Sequence, residues 1–273
     1  MTSITAESVL DDLEHNRLPL PTLPEVAIRV RDTVDDEDAT IKDIADIIIT
    51  DAALSARIIQ VANSALYRGM SPATSVQAAV TRMGLNTVRN LATSLVMKQL
   101  FQATNPVVDK YLRKYWKLST DIAALSAVLA KMYTTLESDS ALLAGLTHSI
   151  GVSPILVKAE SDPVLLNNPD ALNGLLQELS PRIGEKILEN WEFAPDMVQV
   201  PAEHLDIHRQ HGGDPDYCDV VQVALVQTVA GTDHPLGSVE LEQLPAYHRL
   251  GMAGDFEEID MEGGVQEVKE AIA

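Results

Sequence analysis

ALLAGLTHSIGV, residues 141–152, is a run of small and aliphatic residues with one histidine, His148, between Thr147 and Ser149. Leu142, Gly145, Leu146 and Ser149 share one side at helical spacing. Ala141, Ala144 and Gly145 lie below His148, where the lack of side-chain bulk lets a second helix come close. Such a short helix needs neighbours on several faces, which places it inside a bundle. Outward from it the chain shows no strand-like alternation and no repeat, so the sequence predicts an all-α fold.

Composition agrees. Of 273 residues, 46% are apolar but only 4% aromatic, so the core must be aliphatic and alanine-rich, which suits packed helices. Forty acidic against twenty basic residues give a net charge of −20. That balance argues against nucleic acid and against anionic membrane as partners, because both need clustered Lys and Arg. Cys218 is the only cysteine, which excludes an intrachain disulfide or a cysteine metal cage. The first residues, MTSITAESVLDDLEHN, are acidic and amphipathic, unlike a secretory signal. Apolar runs such as Ile47–Ile49 are too short to span a bilayer, and a cytoplasmic protein is expected.

Val9, Leu10 and Leu13 mark a first helix within residues 1–16. RLPLPTLPEV, Arg17–Val26, has too many prolines for a helix and reads as an extended connector that buries its leucines, with Pro24 in the first turn of the next helix. Thr40 and Asp43 form a capping-box-like start for a helix with Ile41, Ile44, Ala45 and Ile48 inward. Asp51 caps the next, whose stripe is Leu54, Ile58, Val61 and Leu66. Val76, Ala79, Val80 and Met83 make another, ended by Gly84, and Asn86 or Thr87 starts its successor. A long helix covers Asp109–Met132, and Ser138 or Asp139 caps the one leading to His148. The chain then reads as polar and proline-rich from Pro154 to Pro169. Helices follow over Ala171–Leu179, from a Ser180 cap with Pro181 in first place to Trp191, over Met197–His204, and over Tyr217–Ala230 behind an Asp216 cap. Residues 232–273 read as a loop and an acidic tail, a surface helix with disordered flanks.

The order LPxLP, DAALSARIIQVANSALY and SVQAAVTRMGLNTVRNL resembles the HDOD family, all-helical relatives of the HD phosphohydrolases. Asp51, Leu54, Arg57, Asn63, Ser64, Ala79 and Gly84 fall where the family pattern puts such residues, while Ala52 replaces its usual proline. The resemblance covers residues 17–231. It implies a multi-helix HD-like bundle, with an N-terminal helical subdomain over 17–105 and a degenerate HD-like part over 106–231.

The resemblance also supplies a test. HD hydrolases hold one or two divalent metals with several imidazoles and at least one carboxylate, and the metal activates a water. Carried over one position at a time, the histidine expected after Trp116 falls near Leu118. The adjacent His-Asp pair becomes His148 and Ser149. A later histidine falls at Ser180, another near His204, and the final aspartate at Asp219. His148, His204 and Asp219 would survive, but the carboxylate beside His148 is replaced by a neutral serine, a poor divalent ligand.

Each candidate also has a local reading. His148 suits a histidine at the core edge bonded to a backbone carbonyl or to water. Asp219 suits a first helical turn. Asn63 suits an amide that fixes the Arg68–Thr74 loop. His204, Asp206, His208 and His211 read as a solvated loop with nothing to fix their directions. No phosphate-binding glycine loop, GxSxG elbow or GYP signature is present, and Cys218 suits the core.

The resemblance therefore implies a non-catalytic signalling module with no resident cofactor. With no receiver or cyclase-like segment in the sequence, its protein partner is expected to bind in trans. His148, Ser149, His204, Asp219, Asn63 and Ser64 are its vestigial or ligand-binding candidates. Two readings stand beside it: a divalent-metal phosphohydrolase or phosphodiesterase acting on nucleotides, and a metal-free pocket at His148 that binds a small nucleotide or other small molecule.

Overall fold

A computed structural model describes residues 4–64, 66–252 and 261–272. Helices α1 (Ala6–Glu14), α2 (Glu25–Val34), α3 (Ile41–Ile49), α4 (Ala52–Ala62), α5 (Val76–Met83) and α6 (Leu85–Val96) form the N-terminal half, followed by a 3-10 turn over Met97–Phe101. Then come α7 (Pro106–Tyr133), α8 (Ser138–Thr147), α9 (Val152–Ala159), α10 (Pro163–Leu166), α11 (Pro169–Asn190), α12 (Pro195–Glu203) and α13 (Tyr217–Val229). A 3-10 turn over Leu241–Gln243, α14 (Pro245–Arg249) and α15 (Met261–Ile272) complete the chain. No strand occurs among the described residues, and the fold is all-α.

The capping residues start the helices as their chemistry dictates. Thr40 and Asp43 form a reciprocal capping box at α3, and Asp51 accepts from the N–H groups of Ala53 and Leu54 at α4. Asn105 caps α7, with Pro106 in first place, and Asp216 and Asp219 form a second capping box at α13. In the proline-rich connector Leu18 and Leu23 are buried, and Pro24 stands just outside α2 as its cap residue instead of inside its first turn.

Helix α8 lies at the centre, packed on α7, α6, α13 and α12. A Cβ on Gly145 would sit 2.5 Å from the Ala123 Cα, so α7 and α8 touch backbone to backbone there. Ser138–Ala159, running through α8 and α9, is long and apolar enough by composition to cross a membrane, but it is buried inside the bundle. One continuous set of buried apolar residues runs from Val9 through both halves to Ile272.

Several boundaries differ from the sequence reading. Gly84, at φ 84, ends α5 and lets α6 begin at once at Leu85, ahead of Asn86 and Thr87. Helix α8 has Glu137 at its cap position with no side-chain bond, while Asp139 turns inward and accepts from Asn90 at 2.7 Å and Thr87 at 3.3 Å. The stretch after Pro154 is helical: Pro154 occupies the first turn of α9, where no intrahelical N–H bond is lost. Ser180 does not start a helix, because α11 continues through Pro181. The tail helix α15 packs on α7 and α4, burying Val268 and Ile272, with Lys269 paired to Asp121. The disorder expected around residues 254–260 lies outside the described residues.

Helix α11 ends in a Schellman turn. The Phe193 N–H donates to the Leu188 carbonyl and the Glu192 N–H to Glu189, with Glu192 at φ 59 where glycine is usual.

Candidate functional site

Each buried histidine closes a helix. His148 is the cap residue of α8, and its Nδ1 lies 2.6 Å from the Gly145 carbonyl. His204 is the cap residue of α12, and its Nδ1 lies 3.0 Å from the Pro201 carbonyl. A carbonyl only accepts, so both Nδ1 atoms carry the proton and both Nε2 atoms keep a lone pair. The rings meet edge to face with centroids 5.0 Å apart. Burial pushes the His148 pKa down to about 4, against the Gly145 bond that raises it. Burial, with His148 alongside, pushes His204 down to about 3.

A small cavity of about 50 Å³ adjoins the two rings. Leu118, Ser149, Gln177, Ser180 and His234 are among its lining residues, and no carboxylate is. Ser149 shares a 2.9 Å hydrogen bond with Ser119, a buried residue of α7. Such a space holds water-sized groups and is too small for a nucleotide.

Asp219 belongs to a different cluster. It is 0% exposed, and its Oδ1 accepts from Arg249 at 2.5 Å and Arg209 at 3.4 Å. Its Oδ2 lies 2.9 Å from His211 Nε2 and accepts the Asp216 N–H at 3.1 Å. Arg209 also bonds Glu203 and, at 2.6 Å, Asp216. Gln222 donates to the carbonyls of Glu203 and Asp206. The loop after α12 is solvated only in part: Asp206 and His208 are exposed, but His204 is buried against His148, and Arg209 and the half-buried His211 are held by buried charge. Asp206 and His208 remain in the turn, where the Asp206 carboxylate accepts the His208 N–H.

His211, Asp216 and Asp219 are the one group of three among the described residues whose ligand atoms all lie within 4.8 Å of one another. Two guanidinium groups already occupy these carboxylates, and a cation entering there would meet fixed positive charge. Asn63 and Ser64 lie outside both clusters. Asn63 donates to the carbonyls of Ile59 and Ala73 and accepts from the Ala73 N–H and Arg82, which fixes the turn to residue 73. Ser64 donates to Val61. Cys218 is buried, and burial raises its thiol pKa, which keeps it un-ionised.

Ser119, His234, Arg209 and Arg249 were not singled out by sequence reasoning. No local pattern marks them, because each acts across 10 or more residues of chain on Asp219, Ser149 or the histidine cavity.

The histidines make stability pH-dependent. Their folded pKa values lie below the ordinary 6.5, so the unfolded chain binds more protons between about pH 4 and 6.5. Their contribution is complete above pH 6.5 and is lost as pH falls, at roughly 1 kcal/mol per pH unit for each ring. Urea midpoints measured from pH 7 to 4.5 are expected to fall steeply, and His204→Gln to flatten that slope.

The fold and site together describe an all-helical module whose two buried histidines have no acidic neighbour in their cavity. The chain belongs to the HDOD family: the HDOD domain profile matches residues 20–207. A Shewanella amazonensis protein, provisionally named a metal-dependent phosphohydrolase, is 33% identical over 98% of both chains, with a TM-score of 0.88. An HDOD domain protein of unknown function from Geobacter sulfurreducens is 20% identical over 97% of this chain and 96% of its own, with a TM-score of 0.67. A provisionally named signal transduction protein from Marinobacter aquaeolei is 22% identical, with a TM-score of 0.58, over 98% of this chain and 64% of its own. No curated protein matches.

Proposed function

We propose that this chain is a non-catalytic regulatory module of signal transduction, which binds a protein or small ligand in trans and holds no resident divalent metal. The observation that carries the reading is the separation of the surviving residues. His148 and His204 share a cavity without a carboxylate, while Asp219 is neutralised by Arg209 and Arg249. The HD-type centre that the resemblance implies has a carboxylate among its ligands and an open position for water. Ser149 and Ser119 offer only neutral hydroxyls, already bonded to each other. The residues present do not match such a centre. The same reading places the chain in the cytoplasm. Its net charge of −20 favours a partner with a basic patch, whose capture would weaken with salt.

A second reading, a metal-dependent phosphohydrolase or phosphodiesterase acting on nucleotides, is favoured by the two Nε2 lone pairs in one cavity and by the name of the 33% identical relative. Elemental analysis of tag-free protein expressed with manganese, iron and nickel separates the two. Sub-stoichiometric metal, unchanged in His148→Ala, is expected, with no turnover of phosphomonoesters or cyclic dinucleotides. Near-stoichiometric metal that disappears in His148→Ala would establish the second reading instead.

A further inference from the structure

A second cavity lies away from the histidines. A cavity of about 350 Å³ opens where α2 and α6 meet α8, the α11–α12 turn and α13. That volume is within the range of small-molecule sites. Its lining combines two arginines, three aromatic rings and a polar floor: Arg31 and Arg89, Trp191, Phe193 and Tyr217, and Asn90.

Three carboxylates, Asp35, Glu192 and Asp196, line the same cavity, and the two arginines are less exposed than the Asp35 and Glu192 they face. Arg89 is 33% exposed and its partner Asp35, 3.0 Å away, is 57% exposed. Arg31 is 25% exposed, while Glu192, 3.7 Å from it, is 79% exposed. Ion pairs to exposed carboxylates are weak, so an incoming oxyanion can exchange with Asp35 at small cost. Arg89 is ready for that exchange because a guanidinium carries five N–H donors in a planar fork.

The aromatic wall is fixed in place. Trp191 Nε1–H donates to the Pro21 carbonyl at 3.1 Å, and the Trp191 carbonyl accepts from Arg31 at 2.9 Å. Phe193 lies with its centroid 6.2 Å from Trp191. The Schellman turn puts these two rings on either side of Glu192, a non-glycine residue in the left-handed region. That turn, with its two closing hydrogen bonds, fixes where both rings lie. On the floor, the Asn90 amide donates to Ser140 at 2.9 Å and to Asp139 at 2.7 Å, so its orientation is set.

We propose that this cavity binds a small organic oxyanion carrying a planar ring, with the anionic group on Arg89 and the ring against Trp191. A phosphate monoester of a nucleoside and an aromatic carboxylate share that chemistry. The inference deepens the reading of a ligand-binding regulatory module and rests on it. It also supplies a route for the signal, since one ligand would touch helices from both halves of the fold.

Calorimetric titration of the full chain tests it, with the four 5′-nucleoside monophosphates in one arm and benzoate and 4-hydroxybenzoate in the other. Each anion is paired with its neutral counterpart, the nucleoside or the benzyl alcohol. EDTA is present throughout, so this result and the metal result can fail separately. Saturable one-site binding by a member of one arm is expected, about tenfold or more tighter than its neutral counterpart, and the arm that binds names the source. Arg89→Gln is expected to weaken binding about tenfold. Asp35→Asn removes the competing carboxylate and is expected to tighten binding, a gain that misfolding cannot imitate. No saturable binding by any anion, equal binding by the neutral counterpart, or indifference to both substitutions would overturn the proposal.

Discussion

Asp219→Ala is expected to destabilise the fold by roughly 3–5 kcal/mol, the usual cost of removing one partner from a buried charge network. The carboxylate is 0% exposed, and it is the point at which Arg209, Arg249 and His211 converge. Arg209 is itself only 6% exposed. Burial works against its charge, but the hydrogen bonds it donates to Asp216 and Glu203 outweigh that and raise its pKa above the ordinary arginine value. Without Asp219, the Arg249 guanidinium, 13% exposed, would lose the one carboxylate it pairs with among the described residues. The capping box at α13 would lose its return bond to the Asp216 N–H. Urea denaturation reads the loss directly. Asp219→Ala with Arg249→Met is expected to be less destabilised than Asp219→Ala alone, because both ends of the pair then leave together. A loss below about 1 kcal/mol would mean the network behaves as a surface one. The same substitution bears on function: a structural aspartate changes stability and leaves the metal content where it was.

The helices were legible where local chemistry sets them. Thr40, Asp51 and Asp216 are cap residues by side-chain type, and each caps the helix expected of it. Local rules failed where tertiary packing overrides them. Pro181 reads as a helix start, yet α11 runs through it because Ser180, Gly184 and their neighbours pack against Gly151 and Pro201. The family pattern supplied His148, His204 and Asp219 as names. It could not supply their division, since Asp219 is claimed by Arg249, 30 residues further along the chain. Nor could it show that both histidines turn Nδ1 back to a carbonyl three residues earlier. The larger cavity was invisible for the same reason: Arg31, Arg89 and Trp191 come from separate elements that only the fold brings together.

Gly151→Ala is expected to cost about 3 kcal/mol or more, at or above the top of the range for overpacked cores. A Cβ built there would lie 2.1 Å from the Ser180 carbonyl oxygen and 2.6 Å from the Gly184 N. Both are backbone atoms of α11, so no side-chain rotation relieves the clash. Gly184 in turn has room for no Cβ, because the Pro201 Cβ of α12 would be 2.7 Å away. The Gly151 turn is thus stacked backbone on backbone against α11, and the Pro201 ring of α12 closes on Gly184 from the other side, so displacing α11 means displacing α12 with it. Gly174→Ala in the same α11 is the matched control: nothing lies within 4 Å of its Cβ position. Helix propensity alone is then expected to stabilise it by about 0.5–1 kcal/mol. Opposite signs from the same residue change, at the Gly151 turn before α9 and at Gly174 in α11, would separate backbone packing from helix propensity in urea unfolding. The clash also reaches the site: Ser180 lines the histidine cavity, and the Pro201 carbonyl accepts from His204. Any Gly151→Ala protein that does fold should therefore lose the acid sensitivity of the His148–His204 pair as the rings separate and water enters between them.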